Sequence, residues 1–214
     1  MDIRISKEIM EQETDVSQER NIYAHPDPIA RDGFWQRLER LDGFLRAYAK
    51  PQDRVLDFGG GSGAFVLGLS RFFNRTDIID MDISDARSLV DHFRITNINL
   101  IQGDIRQISP GEPYDHIIAA DVLEHFQDLR VPLDFLKKNL SAGGLLFISV
   151  PTENWVYNLV RVVGRKTKPL EHYHSAAVII DFLRQNGFQV IRREFAPRYL
   201  VNIPLFEICV FRRS

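Results

Sequence analysis

The sequence is short of cysteine and of long apolar runs. Its 214 residues include one cysteine, Cys209, which excludes an internal disulfide framework and a cysteine-rich metal site. No apolar run approaches the ~18 residues that a membrane-spanning helix needs. The amino-terminal residues have neither the apolar core of a signal peptide nor the basic amphipathic pattern of a transit peptide. We therefore expect a cytoplasmic protein without a membrane span.

Excess charge, internal repeats and low-complexity tracts are missing as well. The net charge of −2 argues against nucleic acid as a partner. The composition, 44% hydrophobic and 26% charged, allows a sizeable core. We expect a partly flexible tail over residues 1–27 and a single domain over 28–214. Both a monomer and a homodimer remain open.

Strand and helix patterns alternate along the chain, which is typical of a parallel α/β domain. Predicted strands cover residues 54–58, 77–81, 98–102, 114–120, 145–150, 188–195 and 206–213. The last two are joined without a helix, a connection that allows an antiparallel pair. The predicted fold is therefore a three-layer sandwich whose mostly parallel seven-stranded sheet ends in one antiparallel strand, with helices on both faces.

The predicted helices include two that serine introduces and one that precedes the sheet. Ser84 and Ser175 are the expected N-caps, and Gly187 the expected stop of the later helix. A helix over 28–50 carries one apolar stripe and is expected to act as a lid or edge element. Residues 151–174 interrupt the strand–helix rhythm and are expected to form an insert on the substrate side.

A glycine-rich loop over residues 55–65 is the most informative stretch. Gly59, Gly61 and Gly63 let the backbone turn sharply and approach a ligand. The spacing differs from the G-x-G-x-x-G of dinucleotide-binding loops. Asp57, two residues before the first glycine, would repel a pyrophosphate and favour a ligand with an amino group and a positive sulfur. The loop therefore favours a zwitterionic sulfonium ligand, with an ordinary turn as the alternative.

Further acidic side chains follow the later strands. Asp82 comes after the second strand, Asp104 after the third and Asp121 after the fourth. Ligands of open parallel sheets bind at the carboxyl ends of the strands, so we expect these side chains to share one site. A carboxylate in the position of Asp82 accepts hydrogen bonds from adjacent ribose hydroxyls.

The chain resembles the Rossmann-like (class I) S-adenosylmethionine-dependent methyltransferases, and is similar to the small-molecule and ubiquinone-pathway types. The resemblance covers about residues 50–214 and consists of five motifs in order. These are Val55–Gly63, Met81-Asp82-Ile83-Ser84, Gly103-Asp104-Ile105, Tyr114-Asp115 with Asp121-Val122-Leu123-Glu124-His125, and Leu140-Ser141-Ala142-Gly143-Gly144 with Val150-Pro151. It implies S-adenosylmethionine as cofactor and S-adenosylhomocysteine as product.

The resemblance also implies a role for each motif residue. The three loop glycines pass close to the cofactor's methionine and ribose parts, and Asp57 orders the loop or meets the amino group. Asp82 binds the ribose, Ile83 packs on adenine, and Asp104 with the Ile105 N–H reads the adenine edge. The Ala120 carbonyl and Asp121 lie near the transferring methyl. Phe58 departs from the smaller residue that the family more often has.

Three histidines are candidates for catalysis at the substrate mouth: His125, His172 and His174. His125 either lines the pocket or caps a helix. His172 and His174 act as a base or hydrogen-bond donor, or belong to a turn before the next helix. No third ligand of suitable spacing accompanies that pair, so we expect no metal site. Glu124 is expected to be a surface or helix-start charge.

The insert suggests the acceptor. Trp155, Tyr157, Arg161, Arg165, Lys166 and Lys168 combine aromatic surface with positive charge. They favour an acidic or phosphorylated small molecule, against the alternative of a solvated charged face. Tyr23, Phe34 and Trp35 either close the same mouth or pack in the core.

Methyl transfer to a small molecule is the leading functional hypothesis. A non-catalytic binding module or partner subunit with the same fold is the alternative. Methylation of nucleic acid is disfavoured because the fourth strand is followed by Ala120-Asp121-Val122-Leu123, without an Asn/Asp-Pro-Pro-aromatic tetrad.

Overall fold

The computed structural model describes residues 28–152, 172–197 and 204–214. The helices are α1 (Pro28–Tyr48), α2 (Val66–Phe72), α3 (Ser84–His92), α4 (Arg130–Asn139) and α5 (Ala176–Gln185), with a 3₁₀ turn at Leu123–His125. The strands are β1 (Val55–Phe58), β2 (Thr76–Asp80), β3 (Ile98–Gln102), β4 (Tyr114–Ala120), β5 (Leu140–Pro151), β6 (Phe188–Ala196) and β7 (Phe206–Arg213). None of the helices in these ranges is both long and apolar enough to span a membrane.

The strands form one seven-stranded sheet in the order β3-β2-β1-β4-β5-β7-β6. β1 pairs in parallel with β2 on one side and β4 on the other, so the strand order reverses at β1. β7 runs antiparallel to both of its neighbours, β5 and β6. The predicted fold class is confirmed, and the antiparallel strand lies inside the sheet, one strand from its edge.

Successive residues of the central strands point to opposite faces of the sheet, as the pleat of a strand requires. One face buries Val55, Ile118, Phe147 and Val210 together with α1, α2 and α3. The other face buries Leu56, Ile117, Leu146 and Phe211 together with α4 and α5. Because both faces are covered, the strands read as nearly continuous apolar runs.

Helix α1 packs across β5, β7 and β6. Its stripe of Trp35, Leu38, Leu41 and Leu45 is at most 1% exposed. Trp35 lies in the core, in agreement with the alternative that it packs there. Phe34 is half-buried against Phe206. The lid function stays a prediction.

Several boundaries shift by one or two residues from the sequence predictions, and the starts of two elements differ for a structural reason. Helix α3 begins at Ser84 itself, and Ile83 occupies the N-cap position without a side-chain bond. Strand β5 begins at Leu140, five residues before the predicted start at 145, because Leu140 pairs with Tyr114 of β4. Ser175 does occupy the N-cap of α5, without a side-chain hydrogen bond.

Candidate active site

The glycine loop after β1 packs so closely on its neighbours that side chains are excluded. Gly59 has a φ of +78°, and a Cβ there would lie 2.2 Å from Val122 Cγ2. A Cβ on Gly61 would lie 2.1 Å from the carbonyl oxygen of Asp82. Both distances are far below van der Waals contact, so larger residues would displace the loop. The loop therefore joins the ends of β2 and β4 to that of β1.

Two carboxylates lie under and beside this loop. Asp57 is 1% exposed, and its Oδ2 accepts no hydrogen bond from the described ranges. Burial, and after it the charge of Asp80, raises the pKa of Asp57 to about 7. Asp80, the last residue of β2, accepts a hydrogen bond from Gly61 N at 2.8 Å. Burial raises the pKa of Asp80 too, and backbone N–H groups, Gly61's first, hold it down in part.

Asp80 is not among the residues predicted from the sequence. It is two residues before Asp82, so strand alternation could have indicated a second acid at this edge. The structure makes Asp80 the direct partner of the loop and leaves Asp82 exposed. Gly103 N also donates to the Asp80 carbonyl at 2.9 Å, which brings the end of β3 to the same place.

Asp82 holds the start of α3. Its Oδ1 accepts the Ser84 N–H at 2.9 Å, and this bond, with that from the Ser84 hydroxyl, lowers the pKa of Asp82. The carboxylate is therefore ionised and accessible at the mouth of the loop. Ile83 beside it is 3% exposed. The ribose and adenine roles of these two residues stay predictions.

The end of β3 presents a carboxylate that is already engaged. Arg106 Nε lies 3.0 Å from Asp104 Oδ1 and 2.8 Å from Oδ2, and the Arg106 N–H also donates to Oδ1. These bonds, led by those of the side chain, lower the pKa of Asp104. Ile105 is buried. A ligand that uses Asp104 would have to share it with an exposed arginine.

The residue after β4 is held in an unusual backbone conformation. Asp121 has a φ of +55°, in the left-handed region that non-glycine residues seldom occupy. Its N–H donates to the Ser149 carbonyl at 2.9 Å, and its Oδ1 accepts the Ser149 hydroxyl at 3.0 Å. The other carboxylate oxygen forms an ion pair with Arg37. Neighbouring strand and helix thus fix both the backbone and the side chain of Asp121, next to Ala120.

Arg37 is a second residue of the candidate site, after Asp80, that the sequence predictions missed. Its side chain is 1% exposed, and its guanidinium lies 4.9 Å from the ring centroid of Phe206. The signal in the sequence is its position three residues after Phe34 and four before Leu41, on the apolar stripe of α1. A buried arginine is rarely tolerated without a charged partner. That position predicts a buried ion pair, though not which acid completes it.

The histidines fall into two groups. His125 and His172 are in edge-to-face contact, with ring centroids 4.8 Å apart. His174 lies apart from them and reaches the Gln127 carbonyl with its Nε2 at 3.2 Å. Glu124, expected on the surface, is fully buried. The surface interpretation was wrong, because the residues just before α5 lie against the 3₁₀ turn: Tyr173 N donates to the Glu124 carbonyl at 2.9 Å.

Phe58 fills space under the loop. It is 4% exposed and packs against Phe135 and Phe126 at centroid distances of 5.3 and 6.0 Å. The larger side chain is therefore matched by aromatic neighbours on the α4 face. The residues predicted to recognise the acceptor in the insert, and Tyr23, lie outside the described residues.

A separate cavity of ≈ 590 Å³ lies between the end of α5 and β6, lined in part by Arg184, Phe188 and Arg193. β6 starts there, at the edge of the sheet opposite the carboxyl ends of β1 to β4. The cavity therefore has no part in the site at the strand ends. Its two arginines are paired with Asp181 and Glu207.

The arrangement at the carboxyl edge suits one type of chemistry. A close-approach loop and ionised or ionisable carboxylates favour a ligand with positive charge and hydroxyl groups, because both interact favourably with carboxylate oxygens. The close approach of Gly59 to Val122 links the glycine loop directly to the turn after β4. A second molecule bound at that turn would therefore lie beside the first.

Comparison with known proteins agrees with this geometry. The sequence pattern of the methyltransferase domain family matches residues 31–194, more than half of the chain. A protein-L-isoaspartate O-methyltransferase of Roseobacter denitrificans is 30% identical over 142 residues, 64% of this chain and 60% of the relative. A ubiquinone biosynthesis O-methyltransferase of Bradyrhizobium diazoefficiens is 30% identical over 114 residues, 52% of this chain and 45% of the relative. The chain thus spans about half the length of these curated relatives.

A solved structure shows the same architecture over the whole chain. The N-methyltransferase NodS of Bradyrhizobium japonicum WM9, in complex with S-adenosyl-L-homocysteine, superposes with a TM-score of 0.66 at 22% identity and covers 100% of both chains. The protein therefore belongs to the methyltransferase domain family and has the fold of the class I S-adenosylmethionine-dependent methyltransferases.

Proposed function

We propose that this protein transfers the methyl group of S-adenosylmethionine to a small-molecule acceptor by in-line displacement. The observation that carries the proposal is the carboxyl edge of the sheet, where the glycine loop meets Asp57, Asp80 and Asp82. No lysine or arginine of the described residues pairs with Asp57 or Asp80. A cationic amino-acid ligand would supply the missing positive charge.

The cofactor would lie along the ends of β1, β2 and β3. The backbone at Gly59, Gly61 and Gly63 would pass close to its methionine and ribose parts, and Asp57 with Asp80 would face its amino group. Asp82, accessible and ionised, accepts from the ribose hydroxyls. Ile83, Asp104 and Ile105 contact adenine, with Asp104 exchanging part of its bonding with Arg106 for the adenine amine.

The methyl group would lie near the Ala120 carbonyl and Asp121. Transfer needs the acceptor atom in line with the departing sulfur, and holding the two molecules in that geometry supplies up to ~7–11 kcal/mol of the acceleration. The Arg37–Asp121–Ser149 network fixes the wall on this side. In the absence of a bound metal ion, His125 or His172 would accept the proton of a hydroxyl acceptor. His174 is engaged with the Gln127 carbonyl.

The acceptor class rests on the sequence of the insert. Arg161, Arg165, Lys166 and Lys168 favour an acidic or phosphorylated molecule. The relatives named above include one for ubiquinone biosynthesis and one for protein isoaspartate, so small molecules and proteins must both be tested. No specific observation favours the alternative of a non-catalytic binding module.

The test uses S-adenosylmethionine with a labelled methyl group, offered with either the metabolite fraction or the protein fraction of a cell extract. We expect label in the metabolite fraction. The label should be lost with Asp82→Ala, just before α3, and kept with Asp91→Ala, at the far end of α3. Arg161→Ala with Arg165→Ala should raise the KM for the labelled acceptor. Label confined to the protein fraction would refute the small-molecule acceptor, and no transfer to either fraction would refute catalysis.

A further inference from the structure

Three metal-binding side chains meet beside the proposed acceptor position. Glu124 and His125 belong to the 3₁₀ turn after β4, and His172 precedes α5, forty-seven residues further along. One ligand atom of each side chain lies within 4.8 Å of those of the other two. The sequence prediction of no metal site considered His172 with His174, whereas the structure combines His172 with the turn.

The backbone holds these side chains together. Tyr173 N donates to the Glu124 carbonyl at 2.9 Å, which fixes the residue after His172 to the turn. His125 N donates to the Val122 carbonyl at 3.1 Å, which fixes the turn itself. The placement of the three donors is therefore determined by the main chain as well as by the contact between the imidazole rings.

The donor set suits a divalent transition-metal ion. Two imidazoles and one carboxylate form a common catalytic zinc site with an open fourth position. Metal–ligand bonds of about 2.0–2.2 Å require the three donor atoms to lie closer together than the 4.8 Å within which they lie here. The side chains would therefore move towards one another by roughly 1 Å when the ion binds. His125 is exposed and His172 half-buried, which gives an ion access from solvent, and the buried Glu124 supplies negative charge.

We propose that Glu124, His125 and His172 bind a divalent transition-metal ion, with Zn²⁺ as the probe. The turn begins two residues after Asp121, near which the proposed function puts the transferring methyl, so an open coordination position would be available to the acceptor. A hydroxyl acceptor bound there would release its proton to solvent. The resulting oxyanion would form a bond to the methyl carbon while the carbon–sulfur bond breaks and its electron pair stays on sulfur, neutralising the sulfonium. This role rests on the proposed function, whereas binding of the ion does not.

The test is a titration of the untagged, chelator-treated chain with Zn²⁺, and in parallel with Co²⁺, whose visible absorption reports its coordination. We expect one ion per chain. His125→Ala and His172→Ala should each weaken binding at least about tenfold, since even outer-sphere changes reach that size. His174→Ala is the matched control and should bind as wild type, because His174 contacts the Gln127 carbonyl.

Two results would overturn the metal site: no saturable binding of Zn²⁺ to the wild type, or equal losses in His174→Ala and His172→Ala. Calorimetry with S-adenosylhomocysteine on the same samples separates this proposal from the proposed function. Metal binding that needs His125 and His172 supports the site even where no cofactor binds. Cofactor binding without metal binding overturns the site and leaves methyl transfer standing.

Discussion

The two halves of the candidate site treat their carboxylates differently. The cofactor half is the part of the site proposed to bind the cofactor, at the ends of β1 to β3. Among the described residues, Asp80 receives only backbone hydrogen bonds and Asp57 Oδ2 receives none, and burial raises the pKa of both. In the transfer half, at the ends of β4 and β5, Asp121 is paired with Arg37 and hydrogen-bonded to Ser149.

We infer from this difference that the cofactor half binds a positively charged group. Buried carboxylates without a cation are costly, so the cofactor half gains most from binding a positive group. The transfer half has its charge already compensated, and an Asp121 backbone of φ +55° is held in place by that compensation. In the proposed function, the cofactor half therefore contributes affinity for the ligand, and the transfer half contributes a fixed position for Asp121.

Removing the cation of the transfer half should have the largest effect. Arg37→Met leaves Asp121 without its cation, and we expect a loss of about 3–5 kcal/mol in the free energy of unfolding. Urea unfolding measures it. Arg40→Met on the same helix, which breaks only the partly exposed pair with Glu194 at 3.3 Å, should cost less than about 1 kcal/mol.

A double variant sharpens this prediction. Asp121→Asn in the Arg37→Met background removes the orphaned charge and should recover part of the loss. A loss for Arg37→Met no greater than that of Arg40→Met would show that the transfer half is not held by the ion pair.

Removing a charge from the cofactor half should stabilise the fold at neutral pH. Asp57 ionises near pH 3.8 in the unfolded chain and at about 7 in the folded protein. Ionisation of Asp57 therefore does not destabilise the fold below pH 3.8. The loss in the free energy of unfolding increases as pH rises and reaches about 4 kcal/mol above pH 7. Asp57→Asn should accordingly be more stable than the wild type at pH 8. The difference between their free energies of unfolding should become smaller towards pH 5.

Asp77 is the matched control, because it is equally buried on the neighbouring strand. It accepts the Tyr114 hydroxyl at 2.7 Å and lies 3.4 Å from Arg54. Asp77→Asn should destabilise the protein at pH 8, the opposite sign. If urea unfolding shows that both substitutions change the free energy of unfolding in the same direction, the contrast between a paired and an unpaired buried carboxylate is contradicted.

The smallest effect concerns the outer wall of the cofactor half. Arg106→Ala frees Asp104 for adenine, so S-adenosylhomocysteine should bind up to a few-fold more tightly, as expected for loss of an exposed competing pair. Lys138→Ala, on α4, controls for the lost positive charge. Weaker binding in calorimetry would mean that Arg106 itself contacts the cofactor.

Local motifs made the cofactor half readable from the sequence. The glycine loop, Asp82 and Asp104 each follow a strand within a few residues, so strand patterns alone place them at one edge. The fold followed for the same reason, because alternating strands and helices with a final helix-free connection define the sheet. Phe58 could be recognised as unusual, but its neighbours Phe126 and Phe135 could not.

The transfer half depends on contacts between distant parts of the chain. Arg37 and Asp121 are separated by four strands of the chain, β1 to β4. His172 meets His125 only because the residues just before α5 lie against the 3₁₀ turn. A periodic pattern shows that a charge lies on a buried face, but it does not identify the partner. Glu124 was misread for this reason, since nothing adjacent in sequence shows that it is covered.

The most direct test of the contrast is calorimetry of S-adenosylhomocysteine binding at pH 6 and pH 8. If the ammonium group of the ligand meets ionised Asp57, whose pKa is about 7 in the free protein, wild-type affinity should rise about tenfold between these pH values. Asp57→Asn should lack this rise. An equal pH response in both proteins, or no binding to the wild type, would contradict the account.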